Sequence, residues 1–120
     1  MWEYFKEEEF ACRHCEKNLI SHSFVSVLDN LRSDFGKPLI VTSGYRCPEH
    51  NNNVSSTGLD GPHTTGLAVD FGVSREDAYD LLGLAYEYKF TGIGVNQKGS
   101  ARFIHLDVIE GLGRPTIWSY

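Results

Sequence analysis

The sequence predicts an α+β fold, with a small antiparallel sheet and helices on one side of it. One segment in the first half has apolar residues at the spacing of an amphipathic helix, and a segment in the second half opens with acidic residues that suit a helix start. Short apolar and β-branched runs lie between and after them, as is typical of strands. This order of elements favours helices segregated from a mostly antiparallel sheet.

The first half is predicted to hold a lead-in, a helix, a strand and a loop. Residues 1–18 are polar and aromatic, and we expect them to form an irregular but folded lead-in. A helix is predicted over 21–35, with Ser23 as a candidate cap, from the spacing of Phe24, Val25, Leu28, Leu31 and Phe35. The run 38–43 predicts a strand. Residues 44–62 are rich in Gly, Asn and Ser and predict a long loop, which in a small domain is usually functional or mobile.

The second half is predicted to contain one helix and three strands. The helix begins at Ser74 and runs to about Tyr88, because Glu76 and Asp77 in its first turn suit the positive end of the helix dipole. The other segments, in chain order, are strands at 67–71 and 92–95, a turn at 96–100, a strand at 102–109 and a tail at 111–120. With 120 residues, we expect the whole chain, 1–120, to form one domain.

Composition excludes some classes of function. The net charge of −5 argues against a nucleic-acid binder that relies on a general basic field. No apolar run approaches the roughly 20 residues that span a bilayer, so we expect no membrane insertion. The acidic and aromatic start lacks the pattern of a secretory signal peptide. We therefore expect cytoplasmic synthesis, with release by another route such as cell lysis, and a monomeric chain.

Three residues have the chemistry of a metal site. Asp70 interrupts an apolar strand, where a lone buried carboxylate is costly unless it is paired or bound to metal. His105 lies in a similarly apolar strand, and His63 lies in a loop beside Gly and Pro. Two imidazoles and a carboxylate can bind a catalytic zinc ion and leave its fourth coordination position for water. Zinc can lower the pKa of this water to about 7.

Three motifs around these residues occur in a characteristic order. They are Ser43-Gly44-Tyr45-Arg46, His63-x-x-Gly66-x-Ala68-x-Asp70 and His105-x-Asp107. In this combination the chain, from Phe10 to Trp118, resembles the zinc D-alanyl-D-alanine carboxypeptidase family, which includes phage endolysins, and its short single-domain branch in particular. The resemblance implies the fold shared with the Hedgehog signalling domain. It also implies Zn²⁺ held by His63, Asp70 and His105, and an Arg46 that binds substrate and steadies the oxyanion.

The sequence departs from the family pattern where the general base is expected. Catalytic members usually carry an acid three residues before the last histidine, and this chain has Arg102 there, which cannot accept a proton. Asp107 is a candidate substitute, because on a strand it shares a face with His105. The alternative role for Asp107 is to orient Arg46 or a ligand histidine. Weaker candidates for proton transfer are Glu49, Asp60, His50 and His22.

The three cysteines are an odd number and so do not predict a disulfide framework. Cys12-x-x-Cys15 has the spacing of half a structural zinc site, and Cys47-x-x-His50 has the spacing of the other half, with His14 between the first pair. The alternatives are a disulfide from Cys12 or Cys15 to Cys47, or simple buried thiols.

The leading hypothesis from these patterns is a zinc peptidase that hydrolyses the stem peptides of bacterial peptidoglycan. Tyr45, Trp118 and Tyr120 are candidates to line the substrate groove, although aromatic residues near a chain end more often pack the core. The chain's small size and the lack of a signal pattern fit a phage endolysin, a tail-associated wall-cutting module or a piece of a larger prophage protein. The competing hypothesis, motivated by Arg102, is a zinc-bearing module that binds wall peptides without cutting them. A weaker one is a structural phage protein stabilised by zinc.

Overall fold

The computed structural model describes residues 2–111 and 113–120, so Met1 of the predicted lead-in and Leu112 of the predicted tail lie outside the described residues. The α-helices in these residues are α1 (His22–Phe35), α2 (Pro48–Val54) and α3 (Arg75–Glu87). The strands are β1 (Ile40–Ser43), β2 (Ala68–Gly72), β3 (Gly92–Asn96), β4 (Phe103–Asp107) and β5 (Thr116–Ser119). The predicted α+β class is confirmed.

The five strands form one sheet in the order β1-β2-β4-β3-β5. Every neighbouring pair is antiparallel except β3 and β5, which are parallel. The prediction missed β5, because the segment at 111–120 was expected to be a tail. Its pairing with β3 depends on the chain crossing over from β4, which local sequence patterns do not reveal.

The two faces of the sheet have different compositions. One face is apolar and packs against α1 and α3 in the main core, through Val69, Phe71, Ile93, Ile104 and Leu106. On the opposite face, one residue from each strand forms a row across the sheet. These residues are successive cross-strand partners, namely Ser43, Asp70, His105, Gly94 and Trp118. Strand alternation therefore separates the core residues from the polar candidates that the sequence singled out.

The N-cap of α1 lies two residues before the predicted cap, Ser23. The Ser21 side chain accepts a hydrogen bond from the Phe24 backbone N–H, so Ser21 is the N-cap and Ser23 lies within the helix. The helix ends at Gly36, which adopts a left-handed conformation (φ 75°) that glycine tolerates best. The two long helices lie on one side of the sheet, as predicted.

The segment predicted as a long loop contains α2, which is the main local error of the sequence analysis. Cys47 precedes this helix and Pro48 occupies its first turn, a favourable position for proline. Gly44 allows the preceding segment to lie against the lead-in, since a Cβ there would approach the Phe10 backbone to 2.6 Å. The Tyr45 backbone N–H also donates to the Phe10 carbonyl (2.8 Å), so the lead-in is packed against the start of α2.

Among the described residues, no helix has both the length and the hydrophobicity that crossing a bilayer requires.

Candidate metal centre

Three side chains from separate elements converge on the polar face of the sheet. Asp70 on β2 and His105 on β4 are register partners, and His63 lies in a short 3₁₀ turn, Pro62–Thr65, that leads into β2. The turn ends at Gly66, which has a φ of 76° and lies so close to the Leu19 carbonyl that a side chain would clash. All three side chains are buried. The structure therefore brings together the residues that the sequence singled out as ligands.

The ligand atoms form a small triangle. Asp70 Oδ1 lies 3.1 Å from His63 Nε2 and 3.0 Å from His105 Nδ1, and the two nitrogens are 3.3 Å apart. Zinc bonds of about 2.0–2.2 Å in tetrahedral geometry separate neighbouring ligand atoms by roughly 3.3 Å. The spacing of the donor atoms therefore fits a single tetrahedral zinc ion.

Hydrogen bonds on the outer nitrogens orient both imidazoles. His63 Nδ1 lies 2.8 Å from the Gly44 carbonyl, which can only accept, so this nitrogen carries the proton. His105 Nε2 lies 2.8 Å from Asp107 Oδ2, and the carboxylate fixes the proton there in the same way. The inner nitrogens then direct lone pairs at each other and at Asp70. Three lone-pair donors around one point suit a cation.

The buried carboxylates around His105 also favour positive charge in this cluster. Burial alone raises the pKa of Asp70, but hydrogen bonds and charge from His105 and His63 outweigh it and hold that pKa well below its usual range. Burial lowers the pKa of His105, but its hydrogen bonds to Asp107 and Asp70 outweigh this and raise it. His105 thus lies between two buried carboxylates, an arrangement that favours positive charge at this point.

Arg46 lies beside this centre in a fixed orientation. Its Nε donates to Ser43 Oγ (3.1 Å), its Nη1 donates to Asn51 Oδ1 (2.9 Å), and its Nη2 lies 3.6 Å from Asp70 Oδ2. Asn51 is fully buried on α2 and also donates to Thr57 Oγ1 (2.8 Å). Sequence reasoning missed Asn51, because it lies in a run of three asparagines that resembles a loop.

Asp107 lies on the outer side of His105, away from the other two candidate ligands. Its carboxylate is fully buried, and Arg114 donates to it with both Nε (3.1 Å) and Nη2 (2.8 Å). Burial alone raises the pKa of Asp107, but the bonds from His105 and Arg114 lower it to about 2. Gly92 provides the space, since a Cβ there would come within 2.3 Å of the carboxylate oxygens. This geometry favours the orienting role of Asp107 over that of a general base.

Trp118 on β5 covers the other side of His105. The two ring centroids are 5.0 Å apart, and the indole lies over Gly94, where a Cβ would approach Nε1 to 2.6 Å. Tyr120 also borders the site, and burial raises the pKa of its phenol, so the hydroxyl keeps its proton and remains a donor. Tyr45 is buried among the cysteines and does not line the site.

A cleft of about 830 Å³ opens onto the three candidate ligands. Arg46, Trp118 and Tyr120 line it, and among the described residues Asp70 is the only acidic side chain in its wall. Arg102 lies elsewhere: it donates to the Gly99 carbonyl (2.9 Å) and borders a groove beside α3. The weaker candidates for proton transfer also lie outside the cleft, namely His22, Glu49, His50 and Asp60.

Comparison with known proteins agrees with this site. A search of curated proteins found no match to the chain. The family model described as Peptidase M15 matches residues 3–107, which include Arg46 and all three candidate ligands but not Arg114, Trp118 or Tyr120. The match covers most of the 120 residues, and the chain therefore belongs to the peptidase M15 family of metallopeptidases.

Proposed function

We propose that the protein is a zinc peptidase that hydrolyses peptide bonds in the stem peptides of bacterial peptidoglycan. The observation that carries this proposal is the convergence of His63 Nε2, Asp70 Oδ1 and His105 Nδ1 within 3.3 Å of one another at an open cleft. Three protein ligands leave a fourth zinc position for water or substrate, as in catalytic sites, whereas structural sites are closed. Nitrogen and oxygen donors in this number suit Zn²⁺.

Zinc bound there would polarise the scissile carbonyl and make a water acidic enough to attack it near neutral pH. Side chains around the proposed zinc ion would contact the substrate. We propose that Arg46 carries the positive charge that steadies the oxyanion or binds a terminal carboxylate of the stem peptide. Its guanidinium is held by Ser43 and Asn51, so little reorganisation is needed when negative charge develops. Tyr120, protonated and beside the cleft, is a further donor to the substrate.

We assign Asp107 to positioning His105. The pair Asp107–Arg114 fixes which imidazole nitrogen keeps its proton, which leaves the other nitrogen free to bind metal. Under this proposal the protein reaches the wall after lysis or with a phage particle, and acts as a monomer.

A second candidate function is a zinc-bearing module that binds wall peptides without hydrolysing them. The absence of any acidic side chain except Asp70 from the described cleft wall favours it, because proton transfer to the leaving amine has no evident carboxylate. The position of Arg102 beside α3 adds to this observation.

The test is digestion of purified peptidoglycan by the zinc-loaded protein, with new amino and carboxyl ends quantified. The proposal predicts new ends with the wild type and with His22→Ala, whose imidazole is exposed and bonded to Glu7, and none with His63→Ala. Stem peptides with free or amidated termini then distinguish carboxypeptidase from endopeptidase action. No release, together with wall-fragment binding that His63→Ala weakens, would contradict hydrolysis and support the binding module.

A further inference from the structure

Three cysteine thiols converge away from the cleft. The sulfur atoms of Cys12, Cys15 and Cys47 all lie within 4.8 Å of one another. Cys12 and Cys47 are buried in one cluster with Tyr45, and the half-buried Cys15 packs against this cluster. A disulfide can use only two of three thiols, so a pairing would leave the third sulfur against the bridge. A shared metal ion uses all of them.

Backbone hydrogen bonds hold the turn that carries Cys12 and Cys15 in a fixed conformation. The Cys12 backbone N–H donates to the Lys17 carbonyl (2.7 Å), and the Glu16 N–H donates to the Cys12 carbonyl (2.9 Å). Glu16 adopts a φ of 61°, a left-handed conformation that costs energy in a residue with a side chain. The Cys47 backbone N–H donates to the Cys12 sulfur at 3.3 Å, so this sulfur links the turn to the start of α2.

The start of α2 supplies the other half of the arrangement. Cys47 is the N-cap residue of α2, and His50 lies in the first turn. The His50 ring is half-buried and stacks in parallel on the exposed ring of His14, at 5.4 Å between centroids and 4° between planes. The two Cys-containing segments thus face each other, and His50 follows Cys47 within the first turn of the same helix.

We propose that Cys12, Cys15, Cys47 and His50 bind a second, structural zinc ion. Three thiolates and one imidazole are an established structural zinc ligand set, and the spacings Cys-x-x-Cys and Cys-x-x-His match it. Four protein ligands leave no position for a substrate. Soft sulfur donors select zinc over magnesium or calcium.

This second ion would fix the arginine of the cleft. Cys47 directly follows Arg46, and Asn51, which holds the Arg46 guanidinium, lies one turn further along α2. A metal that ties the lead-in to the first turn of α2 therefore fixes both residues that set the orientation of Arg46. The site is independent of hydrolysis and exists whether or not the protein cuts peptides.

The test combines metal analysis with cobalt substitution. Elemental analysis of the purified protein should give two zinc ions per chain. His105→Ala should lose one and Cys15→Ser the other. His50→Ala should lose the same ion as Cys15→Ser, and its stacked partner offers a matched control, His14→Ala, which should keep both.

Cobalt replacing zinc in the wild-type protein should show thiolate-to-cobalt charge-transfer absorption, which the His63–Asp70–His105 centre cannot produce. This signal should persist in His105→Ala, so the test is separate from that of the proposed function. A single zinc with no such absorption would overturn the inference, as would an internal disulfide found by mass after alkylation of the zinc-supplied protein. Loss of the ion in His14→Ala but not in His50→Ala would overturn the assignment of the fourth ligand.

Discussion

The two clusters of candidate metal ligands differ in donor chemistry and in their access to the cleft. The nitrogen–oxygen cluster, formed by His63, Asp70 and His105, lies on the sheet face and opens onto the cleft. The cysteine cluster, formed by Cys12, Cys15 and Cys47, joins the lead-in to the start of α2 outside the cleft, and we proposed His50 as its fourth ligand. Three ligands and an open position suit catalysis, and four ligands suit stability. Under the two proposals, the chain would use zinc once for catalysis and once for stability.

The two clusters also differ in the groups that orient their candidate ligands. In the nitrogen–oxygen cluster, side chains and one carbonyl orient the ligands: Asp107 holds His105, and Gly44 holds His63. In the cysteine cluster, the partner of the Cys12 sulfur is the backbone N–H of Cys47. A side-chain partner can be replaced without moving the backbone, so the nitrogen–oxygen cluster can be altered by mutation more selectively than the cysteine cluster.

Of the substitutions that distinguish the two clusters, His105→Ala should have the largest effect on hydrolysis. Metal catalysis supplies several kcal/mol of transition-state stabilisation, so its loss should reduce peptidoglycan hydrolysis by about 10³-fold or more. Release of new amino ends measures this loss. His22→Ala, on the exposed start of α1, is the control. Hydrolysis that survives in the variant at near wild-type rate would place the reactive centre elsewhere.

Removal of the Arg46 guanidinium should have the next largest effect. Arg46→Ala removes a fixed donor to the developing charge and should lower kcat/KM by about 10²–10³-fold. Asn51→Ala should lower it less, because Ser43 still holds the guanidinium. Zinc content should stay unchanged in both variants, and Arg102→Ala, beside α3, serves as the arginine control. An Arg46→Ala enzyme with wild-type kcat/KM would remove Arg46 from the proposed chemistry.

Asp107→Asn tests whether this carboxylate acts through His105. Loss of a carboxylate partner behind a ligand histidine typically lowers metal affinity by about 10–100-fold. Zinc affinity of the nitrogen–oxygen cluster should fall by that factor, while the cysteine cluster keeps its ion, as measured by competition with a chelator. If Asp107 were the base, hydrolysis would collapse while zinc affinity stayed at the wild-type value.

Gly94→Ala should have the smallest effect, because it acts on Trp118 and not on a ligand. The added methyl overlaps the indole (2.6 Å to Nε1), and such overpacking costs about 1–3 kcal/mol of folding free energy. Urea unfolding measures the cost. Gly83→Ala is the matched control, because a Cβ there meets nothing within 4 Å and should stabilise α3 by about 0.5–1 kcal/mol. Equal stability of the two variants would show that Trp118 does not pack over Gly94.

The sequence predicted the fold class, the family and the convergence of three polar residues, because Asp70 and His105 interrupt apolar strands. It did not predict Asn51 or Arg114, since their partners Arg46 and Asp107 are brought to them by tertiary contacts with no local pattern. The roles of the glycines at 92 and 94 could not be predicted from the sequence for the same reason. Each makes room for a side chain of a neighbouring strand, and only the strand order reveals it.

Local signals explain the two missed elements. The helix α2 spans seven residues and includes three asparagines, which are poor helix formers, so its composition resembles a loop. The strand β5 is short and partly exposed, and its parallel partner β3 is far from it in sequence.

The central claim concerns the metal held by His63, Asp70 and His105, and an anomalous diffraction experiment at the zinc edge tests it most directly. Crystals of the zinc-loaded protein should show an anomalous peak bounded by His63 Nε2, Asp70 Oδ1 and His105 Nδ1. An empty centre in such crystals, with the two imidazoles and the carboxylate in their present positions, would contradict the claim.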